Sequence, residues 1–143
     1  MRTLYQTSLL PSCRKIRILL REKELDFDIV QENFWQRREE FFELNPAGEV
    51  PVLVEDDGEV IAGNYAITEY LEEAYRDNSK RYIGSSISER AEVRRIVEWF
   101  DYKFNAEVTN NILFEKIFKR LLRYGEPQSD AIRAGKKNIL YHI

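Results

Sequence analysis

The amino-acid sequence predicts an α/β amino-terminal half followed by an all-α carboxyl-terminal half. Three patterns predict this class: a strand-helix-strand unit over residues 2–31, two apolar runs around Asp57-Gly58, and helical periodicity from Ser86 onward. The 143 residues suffice for one domain or two small ones. With 43% hydrophobic and 33% charged residues, the composition is that of a folded globular protein.

The first elements form a β-α-β unit. Strands are predicted at residues 2–6 and 26–31, and the helix between them carries an apolar stripe that ends at Lys23. Ser12 is predicted to cap this helix. Because a strand-helix-strand order of this length requires a crossover connection, the two strands are expected to be parallel.

The next elements are a short helix, a hairpin and a longer helix. The charged stretch 35–44 predicts a short helix, ended by an Asn-Pro-Ala-Gly turn. Apolar runs at 52–54 and 60–62 flank the hairpin turn, and a helix is expected to start at Asn64. The predicted order of the amino-terminal half is therefore β-α-β, short helix, β-β-α.

Polar residues at 77–86 predict a linker between two domains, residues 1–80 and 81–143. Ser86 and Glu89 have the spacing of a capping box at the start of a long helix.

The long helix is predicted to form a core through Phe118 and to break at Gly125-Glu126-Pro127. A last helix is expected to begin near Ser129 and to be still running at Ile143, which indicates a truncated or unusually short helical domain.

Charge and cysteine content exclude several classes of function. The 22 basic and 25 acidic residues give a net charge of −3 and are interleaved, so nucleic acid is not expected as a partner. Cys13 is the only cysteine, which rules out an intrachain disulfide and favours the cytoplasm. With one histidine, His142, expected at the surface, no metal site is predicted. No apolar run has the length of a signal peptide core or a membrane span.

Three segments carry a family resemblance: LLPSCRKIRILLREKEL at 9–25, LNPAGEVPVLVEDDGEVI at 44–61 and AITEYLEEAY at 66–75. Together they resemble the thioredoxin-like amino-terminal domain of cytosolic glutathione transferases. The helical remainder resembles the start of that family's all-α second domain, cut short. The resemblance implies glutathione as co-substrate and a small electrophile as acceptor. Because a shortened second domain leaves helix faces uncovered, we expect a homodimer across the long helix and the first domain.

The resemblance implies a peptide-binding loop at Val50-Pro51. A Val-Pro bond before a strand is one of the few places where a cis peptide costs little, about 0.5–1 kcal/mol. In the family this proline is cis, and the backbone of the preceding residue, here Val50, pairs with the cysteinyl part of glutathione as an added strand would. The alternative is that Pro51 only shapes a loop.

Side-chain contacts to glutathione depart from the family pattern. Relatives have an acid and a serine before the helix, and these hold the γ-glutamyl end of glutathione. This sequence has Gly63-Asn64 there. Of the two, only Asn64 can offer its side-chain amide and the helix N-terminus to the γ-glutamyl carboxylate. Glu49 brings an acid near the glycyl end, where relatives have non-acidic residues. Trp35 lies on the segment that flanks bound glutathione in relatives. Arg37 and Arg38 lie on the same segment, where they either bind the glycyl carboxylate or form a solvated charged face.

The position that carries the reacting serine or cysteine in relatives is Leu10, which can neither donate to a thiolate nor form a mixed disulfide. Four neighbouring side chains are candidate substitutes, and each has a structural alternative: Ser12 (a helix cap), Cys13 (a small packed residue), Tyr5 (a core or rim tyrosine) and Ser8 (a loop hydroxyl). For Cys13, a helix N-terminus is expected to lower the pKa of the thiol.

Two functions follow. The first is a transferase that binds glutathione along Val50 and activates its thiol through a nearby hydroxyl or thiol. The second is a non-catalytic interaction protein on the same scaffold, motivated by Leu10, Glu49 and Gly63-Asn64. The patterns FWQRREEF and WFDYKFNAEV are also similar to those of bacterial glutathione-transferase-like proteins that bind the tubulin-like division protein FtsZ.

Overall fold

A computed structural model describes residues 1–76 and 80–143 of the chain. The fold divides into two compact units, Met1–Tyr82 and Ile83–Ile143. The predicted linker at 77–86 falls at this division, and its residues 77–79 lie outside the described residues.

The first unit has the predicted order of elements. Its elements are β1 (Thr3–Gln6), α1 (Pro11–Glu22), β2 (Asp28–Gln31), a 3-10 turn (Phe34–Gln36), α2 (Glu39–Leu44), β3 (Val52–Val54), β4 (Val60–Ala62) and α3 (Asn64–Ala74). Strands β1 and β2 begin one and two residues later than predicted, and α3 begins at Asn64 as predicted. The predicted fold class is confirmed.

The prediction of one helix over 35–44 was wrong. A 3-10 turn and α2 replace it, because Arg37 between them has a left-handed backbone with φ 53°. The Arg37 guanidinium lies over the Phe42 ring, 5.4 Å from its centroid, so a contact across the break accompanies this unusual backbone.

The four strands form one mixed sheet in the order β2-β1-β3-β4. The predicted parallel pairing of β1 and β2 is confirmed, and β3 runs antiparallel to both β1 and β4. The carboxyl ends of β1, β2 and β4 therefore meet at the same edge of the sheet as the amino end of β3. We call this edge, where both α1 and α3 begin, the binding edge.

Helices α1 and α3 pack against the sheet through an apolar core. Its members have no exposed surface: Leu4, Ile16, Leu20, Leu53, Ile67 and Leu71. At about 25 cal/mol per Å² of apolar surface, each fully buried side chain of this size contributes about 1.5–3 kcal/mol. A second buried cluster, Cys13, Phe41, Val50 and Val52, lies under the binding edge and fixes α2 and the loop before β3.

A buried ion pair fastens the end of the first unit. Lys23, at the end of the α1 stripe, lies 2.9 Å from Glu72 of α3, and both side chains are almost fully buried. The Lys23 ammonium also donates to the Lys80 carbonyl at 3.2 Å, and Glu72 accepts from the Tyr82 amide at 3.1 Å. Burial of such a pair is tolerated because these hydrogen bonds replace lost water contacts.

The second unit is helical. Helix α4 (Ile87–Glu98), a π-helical segment (Trp99–Phe118) and α5 (Lys119–Leu122) follow one another without interruption, and α6 (Ser129–His142) follows. The predicted capping box is confirmed, since Ser86 accepts from the Glu89 amide and Glu89 accepts from the Ser86 amide. Among the described helices, none is both long and apolar enough to cross a bilayer.

Helix α6 packs closely on the π-helical segment at Gly135. A Cβ atom at Gly135 would lie 2.8 Å from the Ile112 Cγ1 atom and 2.9 Å from the Asn111 Cβ atom. The start of α6 is held by Glu115, which accepts from the Gln128 amide at 2.7 Å and pairs with Lys119. The two helices therefore approach with room for a glycine only.

His142 is buried, so its predicted surface position was wrong. The Trp99 indole donates to its Nδ1 at 2.9 Å, and its Nε2 lies 3.0 Å from Glu107. Since an indole can only donate, Nδ1 is the acceptor and Nε2–H faces the carboxylate. The histidine thus joins the end of α6 to the π-helical segment.

Candidate functional site

The binding edge brings the Val50-Pro51 loop beside the starts of α1 and α3. The Val50-Pro51 peptide bond is cis. The Pro51 carbonyl accepts from the Gly63 amide at 3.0 Å, which joins the amino end of β3 to the start of α3. Two separate parts of the predicted site are therefore held together through the backbone.

Val50 buries its side chain and leaves its backbone available. Its side chain is 8% exposed and lies in the cluster with Cys13 and Phe41. Within residues 1–76 and 80–143, no hydrogen bond is found for its backbone N–H or carbonyl. An extended peptide can pair with such groups as an additional strand does.

Asn45 shapes the loop before Val50. Its side-chain amide donates to the Glu49 carbonyl at 2.8 Å, and its side-chain oxygen accepts from the Ala47 amide at 3.1 Å. The Gly48 amide closes the turn on the Asn45 carbonyl at 2.8 Å. Glu49 itself is exposed, so its carboxylate is at the rim of the loop.

Gly63 has a structural role at the start of α3. Its φ of +96° lies in a region that residues with a Cβ atom rarely adopt, and its carbonyl accepts the first helical hydrogen bond, from Ile67. A glycine at this position thus allows the turn that presents its amide to Pro51. Asn64 follows as the first residue of α3.

The start of α1 differs from the prediction at Ser12. Leu10, not Ser12, is the N-cap residue, and no side-chain hydrogen bond caps the helix. The reason is that Pro11 takes the first helical position, where its missing N–H costs nothing. Leu10 is half-buried and packs against the apolar cluster beneath the edge.

The expected lowering of the pKa of Cys13 was also wrong. Burial raises the pKa of this thiol, and hydrogen bonds with the Thr7 backbone and the Ser12 side chain offset the effect only in part. With no exposed surface, the thiol lies among Phe41, Val50 and Val52. Desolvation therefore outweighs the helix N-terminus at this residue.

Tyr5 and Ser8 lie on the same edge in different surroundings. Tyr5 is half-buried on β1 opposite Val52, with its ring centroid 6.1 Å from that of Phe41. Ser8 is exposed in the turn between β1 and α1. Of the four predicted substitutes, the structure gives solvent access to Ser8 and, in part, to Ser12 and Tyr5.

Trp35 and its neighbours flank the edge after β2. Trp35 is half-buried in the 3-10 turn and meets Phe34 edge-on at 5.1 Å. Arg38 is paired with Glu32 at 2.6 Å, and the Glu32 carboxylate is 1% exposed. The Arg38 guanidinium is therefore engaged by a buried carboxylate rather than forming a fully solvated face.

Glu32 and a polar network beside it were missed by sequence reasoning. The Arg17 guanidinium donates to Gln6 at 3.1 Å, and the Gln31 amide donates to the Thr7 hydroxyl at 3.1 Å. Gln6 and Gln31 are joined at 3.3 Å. No local sequence signal marks these residues, because the parallel register of β1 and β2 creates their proximity.

Comparison with known proteins identifies the family. The family described as glutathione S-transferase, N-terminal domain, matches residues 11–74. A probable glutathione transferase from Aplysia californica is 37% identical over 47% of this chain and 72% of its own length. FtsZ-localized protein A from Caulobacter vibrioides is 41% identical over 99% of this chain and 63% of its own length.

A solved structure agrees. A glutathione S-transferase from Rhodospirillum rubrum F11 superposes with a TM-score of 0.94 at 50% identity, covering 99% of this chain and 63% of that one. The chain thus spans less than two thirds of the length of the Caulobacter and Rhodospirillum proteins. From the matched domain, these relatives and the shared fold, the chain belongs to the glutathione S-transferase family.

Proposed function

We propose that this protein is a non-catalytic member of the family that associates with FtsZ polymers. The observation that carries the proposal is the aliphatic Leu10 at the N-cap of α1, the position from which relatives activate a thiol. A leucine offers no hydrogen-bond donor, so it cannot stabilise a thiolate there.

The neighbouring thiol gives no substitute. A Cys13 thiol with no exposed surface and a raised pKa is a poor nucleophile, since the thiolate is the reactive form. A glutathione thiol with an unassisted pKa of about 8.5 is only a few per cent ionised at neutral pH. Activation of the glutathione thiol would therefore depend on the remaining hydroxyl groups, those of Ser8, Ser12 and Tyr5.

The Caulobacter relative supports the partner. That protein is named for its localisation with FtsZ, and its 41% identity extends over both units of this chain rather than over the amino-terminal domain alone. A fold by itself does not imply one function, so the partner must be tested directly.

The test is co-sedimentation with FtsZ polymers. Purified chain is mixed with FtsZ and GTP, and with FtsZ and GDP as the unpolymerised control. We expect the chain in the pellet only in the GTP sample, in proportion to polymer mass. An equal, low amount in both pellets contradicts the proposed association.

Glutathione binding along Val50 is a second candidate, because the Val50 backbone lies unpaired beside the Pro51–Gly63 contact within the described residues. Backbone recognition requires no particular side chain and is compatible with the changes at Glu49 and Asn64. Such a site would take glutathione without transferring its thiol to an electrophile.

Calorimetry separates these alternatives. Since recognition is through the backbone, glutathione and S-methylglutathione should bind with similar affinity. No heat with either ligand at concentrations of about 10 mM, corresponding to a binding free energy weaker than about −3 kcal/mol, contradicts glutathione binding. Turnover of an aryl halide would instead favour the transferase.

Both candidates suit the cytoplasm, which the single cysteine also favours.

A further inference from the structure

Helix α6 has one face packed inward and one face directed outward. Gly135 contacts the π-helical segment, Asn138 donates to the Glu107 carbonyl at 3.0 Å, and His142 bonds Trp99. These positions define the inward face. The opposite face carries residues at i, i+3, i+4, i+7 and i+8, all exposed, which we call the outward stripe: Arg133, Lys136, Lys137, Leu140 and Tyr141.

The outward stripe combines cations with large apolar groups. Leu140 is 80% exposed and Tyr141 is 71% exposed. In the part of the chain that the structure describes, neither Lys136 nor Lys137 takes part in an ion pair, and Arg133 meets only the exposed Asp130 at 3.3 Å. Among the described residues, Lys136 and Lys137, without ion-pair partners, and Arg133, paired only with an exposed carboxylate, therefore adjoin an apolar end.

The surrounding sequence strengthens the positive charge. Between residues 116 and 137 the chain has seven basic and two acidic residues: Lys116, Lys119, Arg120, Arg123, Arg133, Lys136 and Lys137 against Glu126 and Asp130. Only Lys119 among the basic residues before α6 is paired within the described residues, with Glu115. The interleaving of charges found over the whole chain does not extend to this region.

We propose that the outward stripe binds an acidic peptide segment of another protein, with an apolar side chain of that segment covering Leu140 and Tyr141. Carboxylates of the segment pair with Arg133, Lys136 and Lys137, which lie on the same face. The charge complementarity selects the segment, and the apolar contact adds affinity along the same helix face.

An acidic peptide fits better than an anionic membrane surface. The first unit has 17 acidic and 11 basic residues, a net charge of −6 from sequence positions 1–82. The chain as a whole has a net charge of −3, which disfavours an extended anionic bilayer, whereas a short segment interacts with the stripe within about 8 Å, the Debye length at physiological salt. The stripe therefore suits a local partner.

The test uses the full chain and two fluorescein-labelled peptides. One has a run of glutamates followed by leucine and phenylalanine, and its twin has glutamine in place of each glutamate. Fluorescence anisotropy is expected to give at least about fivefold tighter binding of the acidic peptide, a preference that falls as salt increases. Equal binding of both peptides, or binding of neither, overturns the proposal.

Variants locate the binding to the stripe. Lys136→Glu/Lys137→Glu is expected to weaken binding about tenfold, and Leu140→Ala/Tyr141→Ala about fivefold. The matched control, Arg21→Glu/Arg76→Glu, reverses two exposed charges of the first unit and should leave the dissociation constant within about twofold. Far-UV circular dichroism verifies that each variant is folded. Unchanged binding by both stripe variants overturns the proposal.

Two further measurements exclude other occupants. Co-sedimentation with phosphatidylserine vesicles that is lost in Lys136→Glu/Lys137→Glu would assign the stripe to membranes. A shift from dimer to monomer in the same variant, measured by light scattering, would assign it to a second copy of the chain. Either result overturns the peptide proposal, and absence of both supports it.

Discussion

Leu10 is the residue on which the proposed lack of catalysis depends. It is the N-cap of α1, next to the Val50 loop, and offers only carbon atoms. We predict that Leu10→Ser lowers the pKa of bound glutathione by about one unit and increases the thiolate fraction at pH 7 roughly eightfold. The measurement is the rate of conjugation to an aryl halide against pH.

Leu10→Ala is the control for this substitution. It removes the same apolar bulk without adding a hydroxyl, so its rate should stay at the parent level. A rate increase shared by both variants would indicate better access rather than thiol activation. No increase with serine, in a chain that binds glutathione, would mean that Leu10 is not the activating position.

Cys13 gives a prediction for alkaline pH. Its folded-state pKa is raised by burial, so the protonated thiol contributes stability below about pH 8.5, its unfolded value, and this contribution is lost as the pH rises towards the folded value. Cys13→Ala is expected to cost about 1 kcal/mol at pH 7, through lost packing, and to flatten the decline in stability above about pH 8.5.

Urea unfolding across this pH range measures the Cys13 effect. The pKa values of Tyr70 and Tyr75 are raised above the ordinary phenol value of about 10. Both phenols are therefore still protonated just above pH 8.5, where the Cys13 contribution begins to fall. Parallel stability curves for the parent and Cys13→Ala would contradict a buried, protonated thiol.

The capping box determines how α4 begins. Hydrogen bonds from the Ser86 and Ser85 amides lower the pKa of Glu89 to about 2. The ionised carboxylate therefore contributes stability above its unfolded value of about 4.3, and that contribution is lost as the pH falls towards 2. We predict that Glu89→Gln reduces the acid sensitivity of the second unit in that window.

Ser86→Ala tests the other half of the capping box. Loss of the bond to the Glu89 amide is expected to lower the free energy of unfolding by about 1 kcal/mol. Ser88→Ala, two residues later within the helix, is the matched control and should change stability by less than about 0.5 kcal/mol. Equal effects at the two serines would exclude a capping contribution.

Gly135 determines how closely α6 packs. Glycine to alanine in a helix ordinarily stabilises by about 1 kcal/mol, but here a Cβ would meet Ile112 at 2.8 Å. We predict that Gly135→Ala destabilises the second unit by about 1–2 kcal/mol in urea unfolding. Ala134→Leu adds bulk at a neighbouring exposed position and should be nearly neutral; a stabilising Gly135→Ala would refute close packing.

At the scale of the whole molecule, exposed apolar surface predicts self-association. Three large side chains of the second unit, all outside the outward stripe and before α6, are more than two thirds exposed: Ile87, Tyr102 and Tyr124. Surface of this kind is commonly covered by a partner. We predict the mass of a dimer in light scattering at micromolar concentration, with dissociation on dilution; a monomer at all concentrations contradicts the prediction.

The sequence by itself determined the elements and their order. The Asp57-Gly58 turn, the periodicity of α1 and α3, and the Ser86–Glu89 spacing are signals within a few residues of the structure they specify. The motif around Pro51 also indicated the family. Such features are predictable because each depends on local backbone geometry or on the burial of one face of an element.

Only the tertiary structure decided the environment of individual side chains. Cys13 at a helix start was expected to ionise readily, but Phe41 and Val52 from distant segments cover it. His142 is buried because α6 folds back on Trp99, which lies far from it in the sequence. A pKa or a hydrogen bond depends on which groups exclude water around an atom, and residues far apart in the chain supply those groups.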